Sequence, residues 1–229
     1  MGTLFVVGTP IGNLEDVTLR ALRVLKEVDV ILCEDTRVTK RLLEKYQIQG
    51  KQLATYNDKK SGLRIEKIVE LLQEGKNLAL VTDAGTPGIS DPGSLLVSKI
   101  REALPDVTIV PIPGANAAVA ALSAAGVPAS DFLFLGFLPH KKGRETLFKE
   151  IAASKRTVVF YESPHRILKT LESLKTHLEV SPPSERKVVI ARELTKIHEE
   201  VVSGMPAELL EFFKINPEKA RGEFVVIVS

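Results

Sequence analysis

Two short, almost uninterrupted apolar runs, DVILCE from Asp29 and NLALVT from Asn77, leave few folds open to this chain. A strand with one wet face alternates apolar and polar residues. A run that is apolar at nearly every position needs cover on both faces, as in a parallel sheet wrapped by helices. The flanking pattern agrees. TLFVVG (3–8), LATY (53–56) and VTIVPI (107–112) read as further strands, and helical stretches fall near 19–26, 40–46, 63–74, 94–103 and 117–124. This alternation predicts an α/β domain with a mostly parallel sheet and helices on both faces.

The pattern restarts after the break AAGVPASD. Strands are expected at FLFLGFLP, RTVVFYES, KVVIARE, HEEVVSG and EFVVIVS, with helices near 145–153, 165–178 and 207–213. Little helix separates the last three strands, so the second half should form a mixed sheet. SPPSER marks a second Pro- and Ser-rich break. Two α/β domains are therefore expected, 1–127 and 128–229, a division that 229 residues allow. With 44% hydrophobic and 26% charged residues, the composition excludes fibrous and disordered classes.

Several chemistries have nothing to stand on. The single cysteine, Cys33, cannot form an internal disulfide, and its apolar setting suits a reducing compartment, so a cytoplasmic location is expected. No apolar run approaches the roughly 18 residues of a membrane span, and MGTLFVVGTP lacks an export signal, so no membrane partner is expected. One cysteine and scattered histidines at 140, 165, 177 and 198 give no zinc spacing, and no metal is expected. Neither a P-loop nor a nucleophile elbow occurs. Net charge is only +2, yet basic residues gather in two places, with nine Lys/Arg against three acids over 37–67 and eight against three over 137–169.

Open parallel sheets bind ligands at the carboxyl ends of their strands. VGTPIGN follows the first strand, with Gly8 and Gly12 around Pro10. DAGTPGISDPG, from Asp83 to Gly93, follows NLALVT and is long for a loop in a compact domain unless it lines a site. Its glycines let backbone approach a ligand, and Asp83 can accept hydrogen bonds from an ammonium or a ribose. PGANAA opens a helix whose amides suit an anionic group. CEDTR places Glu34, Asp35 and Arg37 at a strand end, YESPHR gathers Tyr161, Glu162, His165 and Arg166, and ARELTK adds Arg192, Glu193 and Lys196.

Taken in order, VVGTPIGNLEDVTLRAL, CEDTR, VTDAGTPGISDPG, PIPGANAAVAALSAAG, GFLP, FYESPHR, ARELTK and GEFVVIV resemble the ribosomal RNA small-subunit methyltransferase I family of the tetrapyrrole methylase superfamily. The resemblance runs from Leu4 to Val228. It implies a homodimer that binds S-adenosylmethionine in a cleft between its two domains and methylates the ribose 2′-oxygen of a cytidine in the decoding region of 16S ribosomal RNA. The expected partner is that RNA, taken as part of the assembled small subunit.

Carried over position by position, the resemblance implies cofactor contacts at Pro10 and Ile11, at Asp83, Gly85, Thr86, Ile89 and Ser90, and at Ala115 and Asn116. The second half adds Tyr161, Ala191, Arg192, Gly222 and Glu223. Gly85-Thr86-Pro87 stands where tetrapyrrole-modifying relatives carry Gly-Asp-Pro, so no carboxylate contact transfers there.

A ribose hydroxyl is a poor nucleophile, and a placed base speeds its reaction by about 10² to 10⁴. The YESPHR group is the expected catalytic set, with Glu162 or His165 as base and Arg166 holding a phosphate; Glu34, Asp35, Glu193 and Lys196 are also open. Phosphate contacts are expected at Arg37, Lys40, Arg41, Lys141, Lys142 and Arg144, a salt-sensitive interaction. Two other functions fit the same residues: methyl transfer to a tetrapyrrole-like small molecule, and a non-catalytic RNA-binding protein. An aromatic content of 5% without Trp offers the latter little stacking surface.

Overall fold

A computed structural model describes residues 1–56, 63–180 and 186–229. The break at 181–185, and Lys59 and Lys60 of the first basic cluster, lie outside the described residues. The chain forms two compact units, Met1–Asn116 and Ala117–Ser229, each built on a five-stranded sheet.

The first unit comprises β1 (Thr3–Val7), α1 (Leu19–Glu27), β2 (Val30–Cys33), α2 (Thr36–Lys45), β3 (Gln52–Thr55), α3 (Ile65–Gln73), β4 (Leu78–Leu80), α4 (Ser94–Ala103) and β5 (Thr108–Ile112). Strand order is β3-β2-β4-β1-β5, and every pairing is parallel. The two apolar runs become β2 and β4, buried at every position. Alternate residues serve opposite faces. Ile31, Cys33, Ala79 and Val81 pack with Ala21, Leu25, Leu42 and Leu43 of α1 and α2. Val30, Leu32, Leu78 and Leu80 pack with Ile68, Leu72, Leu96 and Ile100 of α3 and α4. Two-sided cover is the physical reason these strands carry no polar residue.

Side-chain caps set where the first helices begin. Thr18 Oγ1 accepts from the Ala21 amide at 3.0 Å, and Asp35 Oδ1 accepts from the Arg37 amide at 2.8 Å. With Asp35 as its cap, α2 starts directly after the strand end rather than near residue 40.

The second unit comprises α5 (Ala117–Ala125), β6 (Phe132–Phe137), α6 (Arg144–Ala153), β7 (Thr157–Glu162), α7 (Ile167–Val180), β8 (Val188–Arg192), β9 (Glu200–Gly204), α8 (Pro206–Ile215) and β10 (Phe224–Val228). Its sheet is mixed, in the order β6-β7-β10-β8-β9, with β6 and β7 parallel and the other pairs antiparallel. One face, carrying Val158, Phe160, Val188, Ile190, Phe224 and Val226, packs against Phe148, Leu171, Leu174 and Phe213 of α6, α7 and α8. The other, carrying Val159, Val189, Ala191, Val225 and Ile227, packs against Ala118, Ala121 and Leu122 of α5. Helix α5 thus belongs with the second sheet, and the division falls at Asn116 rather than at Val127. The sequence signal at AAGVPASD marks the end of that helix, which is a different event from the end of the domain.

No helix among the described residues is long and apolar enough to cross a membrane.

Candidate functional site

In the first sheet the chain leaves β1 toward β2 with α1 on one face, and leaves β4 toward β5 with α4 on the other. Strands β1 and β4 are neighbours, so their carboxyl ends flank the point where the winding reverses. Open α/β sheets bind ligands at such a point. The loops leaving these strands are zipped together. The Thr9 amide donates to Gly85 O at 2.8 Å, the Gly85 amide to Thr9 O at 3.2 Å, and Thr9 Oγ1 to Thr82 O at 3.1 Å.

The loop after β5 joins them. Gly8 and Gly114 cross so closely that a Cβ on either would lie 2.8 Å from backbone atoms of the other. Thr86 Oγ1 donates to Ala115 O at 3.1 Å. Gly85 sits at φ 91°, where a Cβ would meet Ile11 Cγ2 at 3.4 Å and Ala115 O at 3.5 Å. The structure therefore gathers Ile11, Gly85, Thr86 and Ala115 around one backbone-lined cradle, with Pro10 and Asn116 adjacent in the chain. Ile89 and Ser90 lie exposed farther along the long loop, Ser90 with φ 62°.

Carboxyl groups border the same loops. Thr82 donates its hydroxyl to Glu34, and the Asp35 amide donates to Asp83 Oδ1 at 3.1 Å. Burial, followed by the negative charge of Glu34, pushes the Asp91 carboxyl up to about 6, against the opposing effect of a hydrogen bond with Thr82. Partial burial likewise raises Asp83. Asp35 goes the other way: hydrogen bonds from Arg37 hold it down to about 2, with Arg37 Nη2 2.6 Å from Asp35 Oδ2. Asp35 thus serves an exposed ion pair and a helix cap. Sequence reasoning missed Asp91, whose signal was a carboxylate wedged between two backbone specialists, the left-handed Ser90 and Pro92. An acidic border favours a ligand carrying positive charge.

In the second unit, register pairs Phe224 with both Glu162 and Arg192. That brings Tyr161, Glu162, Ala191, Arg192, Gly222 and Glu223 to one end of the sheet. The pleat then separates them. Tyr161 and Ala191 share the face that carries α5, whereas Glu162 and Arg192 fall on the opposite face, so a ligand beside α5 would meet only the backbone of the latter two. Arg192 Nη1 reaches His198 O at 3.2 Å and Glu200 Oε2 at 3.5 Å; its buried Nε has no partner among the described residues. Lys196 Nζ bridges Glu193 Oε1 at 3.0 Å and Glu223 Oε2 at 2.8 Å, and Gly222, at φ 91°, packs against the Glu193 carboxylate with no room for a Cβ. Glu193 and Lys196 are committed to this ionic turn.

Glu162 is the one acid of the YESPHR group, and its side chain is fully buried. Oε1 takes Arg166 Nε at 2.7 Å and the Ser163 amide at 2.8 Å; Oε2 takes Arg144 Nη2 at 3.0 Å and Thr170 Oγ1 at 2.6 Å. All four acceptor positions are filled, which leaves none to take a proton from a substrate. Arg144 and Arg166 are turned inward with Glu162, at 12% and 14% side-chain exposure. His165, Arg37, Lys40, Arg41, Lys141 and Lys142 are exposed.

A family model described as "Tetrapyrrole (Corrin/Porphyrin) Methylases" matches residues 3–210. Over all of this chain and 99% of the relative's length, the sequence is 48% identical to "Ribosomal RNA small subunit methyltransferase I" of Thermotoga maritima. Identity is also 48% to the protein of that name from Escherichia coli O157:H7, over all of this chain and 78% of the relative. Among solved structures, the methyltransferase CobJ superposes with a TM-score of 0.68 at 24% identity, covering 100% of this chain and 94% of that one. Uroporphyrin-III-C-methyltransferase from Thermus thermophilus gives 0.67 at 22% identity, covering 99% and 94%. At such identities the likeness concerns the fold.

Proposed function

The chain belongs to the tetrapyrrole methylases and, within them, to the ribosomal RNA small-subunit methyltransferase I family, and from that premise we propose that it transfers a methyl group from S-adenosylmethionine to the ribose 2′-oxygen of a cytidine in the decoding region of 16S ribosomal RNA. One observation carries the reading: 48% identity to proteins of that name across the entire chain.

The residues of the first unit fit the cofactor. The cradle at Gly85 is lined by main chain and by Ile11, which suits an adenine or ribose read by backbone groups, and the acidic border suits a cation. Pro10, Ile11, Gly85, Thr86, Ala115 and Asn116 are its proposed contacts there, with Asp83 on the charged side and Ile89 and Ser90 from the long loop. Tyr161, Ala191, Gly222 and Glu223 are retained as proposed contacts in the second unit, and Arg192 through its backbone. When bound, S-adenosylmethionine supplies an electrophilic methyl on a sulfonium centre.

The protein's own contribution is positioning and proton removal. His165 is exposed beside the filled Glu162 network and is the proposed base for the ribose hydroxyl. Arg37, Lys40, Arg41, Lys141 and Lys142 are the proposed phosphate contacts. The protein acts in the cytoplasm as a homodimer in this reading. Support for self-association comes from Phe132, Leu133 and Phe137 on the edge strand β6, exposed by 38%, 43% and 58%.

Transfer of labelled methyl to undermodified small subunits, followed at rising salt, tests the substrate class. Activity that falls steeply with salt is expected, since phosphate contacts are lost. Transfer to a tetrapyrrole ring at a salt-independent rate would replace this reading with the small-molecule one.

A further inference from the structure

The buried carboxylate of Glu162 does more than fill a hole under the second sheet. Each of its two arginine partners has a second hand on one loop. Arg166 Nη1 donates to Leu138 O at 2.8 Å, and Arg144 Nη1 donates to Pro139 O at 3.1 Å. Thr170 Oγ1 ties the arrangement together, donating to Glu162 Oε2 while accepting from Arg144 Nη2 at 2.7 Å. Both gripped carbonyls belong to the start of the segment joining β6 to α6. Immediately beyond them the chain displays His140, Lys141 and Lys142 to solvent before Gly143, at φ 84°, turns it into α6.

We propose that Glu162, through Arg144 and Arg166, is a positioning residue that fixes the 138–142 loop so that His140, Lys141 and Lys142 meet the RNA backbone in one geometry. The proposal rests on the RNA-methylating function proposed above and assigns that function a substrate-gripping element. Taking three charges out of water is costly, and their mutual attraction offsets that cost only with good geometry and further hydrogen bonds; here all four acceptor positions of Glu162 are filled and each arginine also donates to a main-chain carbonyl. Well-packed apolar side chains would hold the helices to the sheet at least as well. They could not hold two adjacent main-chain carbonyls. Lysines on an unheld loop spread over many positions, most of which reach no phosphate, whereas a fixed loop keeps both at contact distance.

The roles expected from sequence shift accordingly. Glu162 does not touch the substrate, and Arg144 and Arg166 act inside the protein while the two lysines beyond them act outside. The i, i+4 spacing of Glu162 with Arg166, and of Arg166 with Thr170, was visible in the sequence. The pairing with Arg144 from another element was not.

The test compares the wild-type protein with Glu162→Gln, Arg144→Lys and the Lys141→Ala/Lys142→Ala pair. Each is assayed for KM and kcat on undermodified small subunits, for S-adenosylmethionine affinity by calorimetry, and for hydrogen exchange in residues 138–143. Glu162→Gln is expected to raise KM for the subunits tenfold or more with kcat within about threefold, to leave cofactor affinity unchanged and to speed exchange in the loop. The salt dependence of kcat/KM should become shallower by about 1.5 in log–log slope, as in the double-lysine variant, for two phosphates at about 0.7 to 0.9 each. Combining Glu162→Gln with the double-lysine change should add little, because both remove the same contacts. Arg144→Lys keeps a charge beside Glu162 but cannot also reach Pro139, and it decides the matter if Glu162→Gln does not fold.

A fall in kcat at unchanged KM would overturn the proposal in favour of a direct catalytic role. A raised KM with an unchanged salt slope, additive with the lysine changes, would reduce the network to ordinary structural support. If the wild-type protein methylates no subunit at all, the RNA reading fails, while loop exchange in the variants still reports whether Glu162 fixes the loop.

Discussion

Gly8 and Gly114 touch backbone to backbone at the carboxyl ends of β1 and β5, and a Cβ on either residue would stand 2.8 Å from main-chain atoms of the other. This crossing sets how near the loop after β5 comes to the bridged pair Thr9 and Gly85. The cradle around Gly85 therefore depends on two glycines that do not line it.

Gly8→Ala or Gly114→Ala should destabilise the protein by about 1–3 kcal/mol, because the clash is with backbone and no flexible side chain can yield. Cofactor affinity should fall with it. Gly50→Ala is the contrast: Gly50 has φ 69° but open space around it, so it should cost only the left-handed strain of about 1 kcal/mol and leave affinity alone. Urea midpoints and calorimetric titration read both effects. Equal behaviour of the three variants would contradict a steric origin.

Asp91 gives a pH signature. Its carboxyl is raised from 3.8 to about 6 in the folded protein, so the unfolded chain gives up that proton first and stability falls as pH rises from about 4 to 6. Asp91→Asn removes the penalty. The variant should be more stable than wild type at pH 8, by on the order of 1 kcal/mol after allowing for a half-exposed group, and indistinguishable from it near pH 4. Thermal melts at the two pH values decide, and a variant less stable at pH 8 would refute the assignment.

His165→Ala should lower kcat for the ribosomal substrate by about 10² or more and leave cofactor affinity intact. A kcat close to that of the wild type would move the base to another residue.

The homodimer makes its own prediction. Sedimentation at micromolar protein should show a dimer, and Leu133→Glu on the exposed edge strand β6 should shift it toward monomer. A wild-type monomer at that concentration would contradict self-association.

The order of strands and helices was legible because burial writes itself into hydrophobic period. Val30 to Cys33 and Leu78 to Leu80 are apolar throughout since both faces are covered, and the loop after Leu80 was marked by Gly and Pro. The attachment of α5 was not legible. A helix of small residues such as Ala118 and Ala121 carries no sign of which sheet it will lie against.

Part of the candidate site was legible: Gly and Pro marked the loops that carry Gly85 and Ala115, while Thr86 and Ala115 themselves came only with the family resemblance, and the convergence of the three needed the crossing of Gly8 with Gly114, a contact between residues far apart in sequence. Glu162 and Arg166 were found as a charged group and read as catalysis. The full burial of that carboxylate, and the arrival of Arg144 and Thr170 at it, were not legible. Period-two alternation could have placed Tyr161 and Glu162 on opposite faces, but not said which face carries a ligand.

The most direct measurement maps the modified nucleotide itself. Undermodified small subunits are incubated with the protein and S-adenosylmethionine, and the 16S RNA is then cleaved with alkali, which spares the linkage after a 2′-O-methylated ribose. The proposed function predicts one newly protected cytidine in the decoding region, dependent on both protein and cofactor. Methyl incorporation into the RNA without a protected linkage, or no incorporation despite cofactor binding, would contradict it.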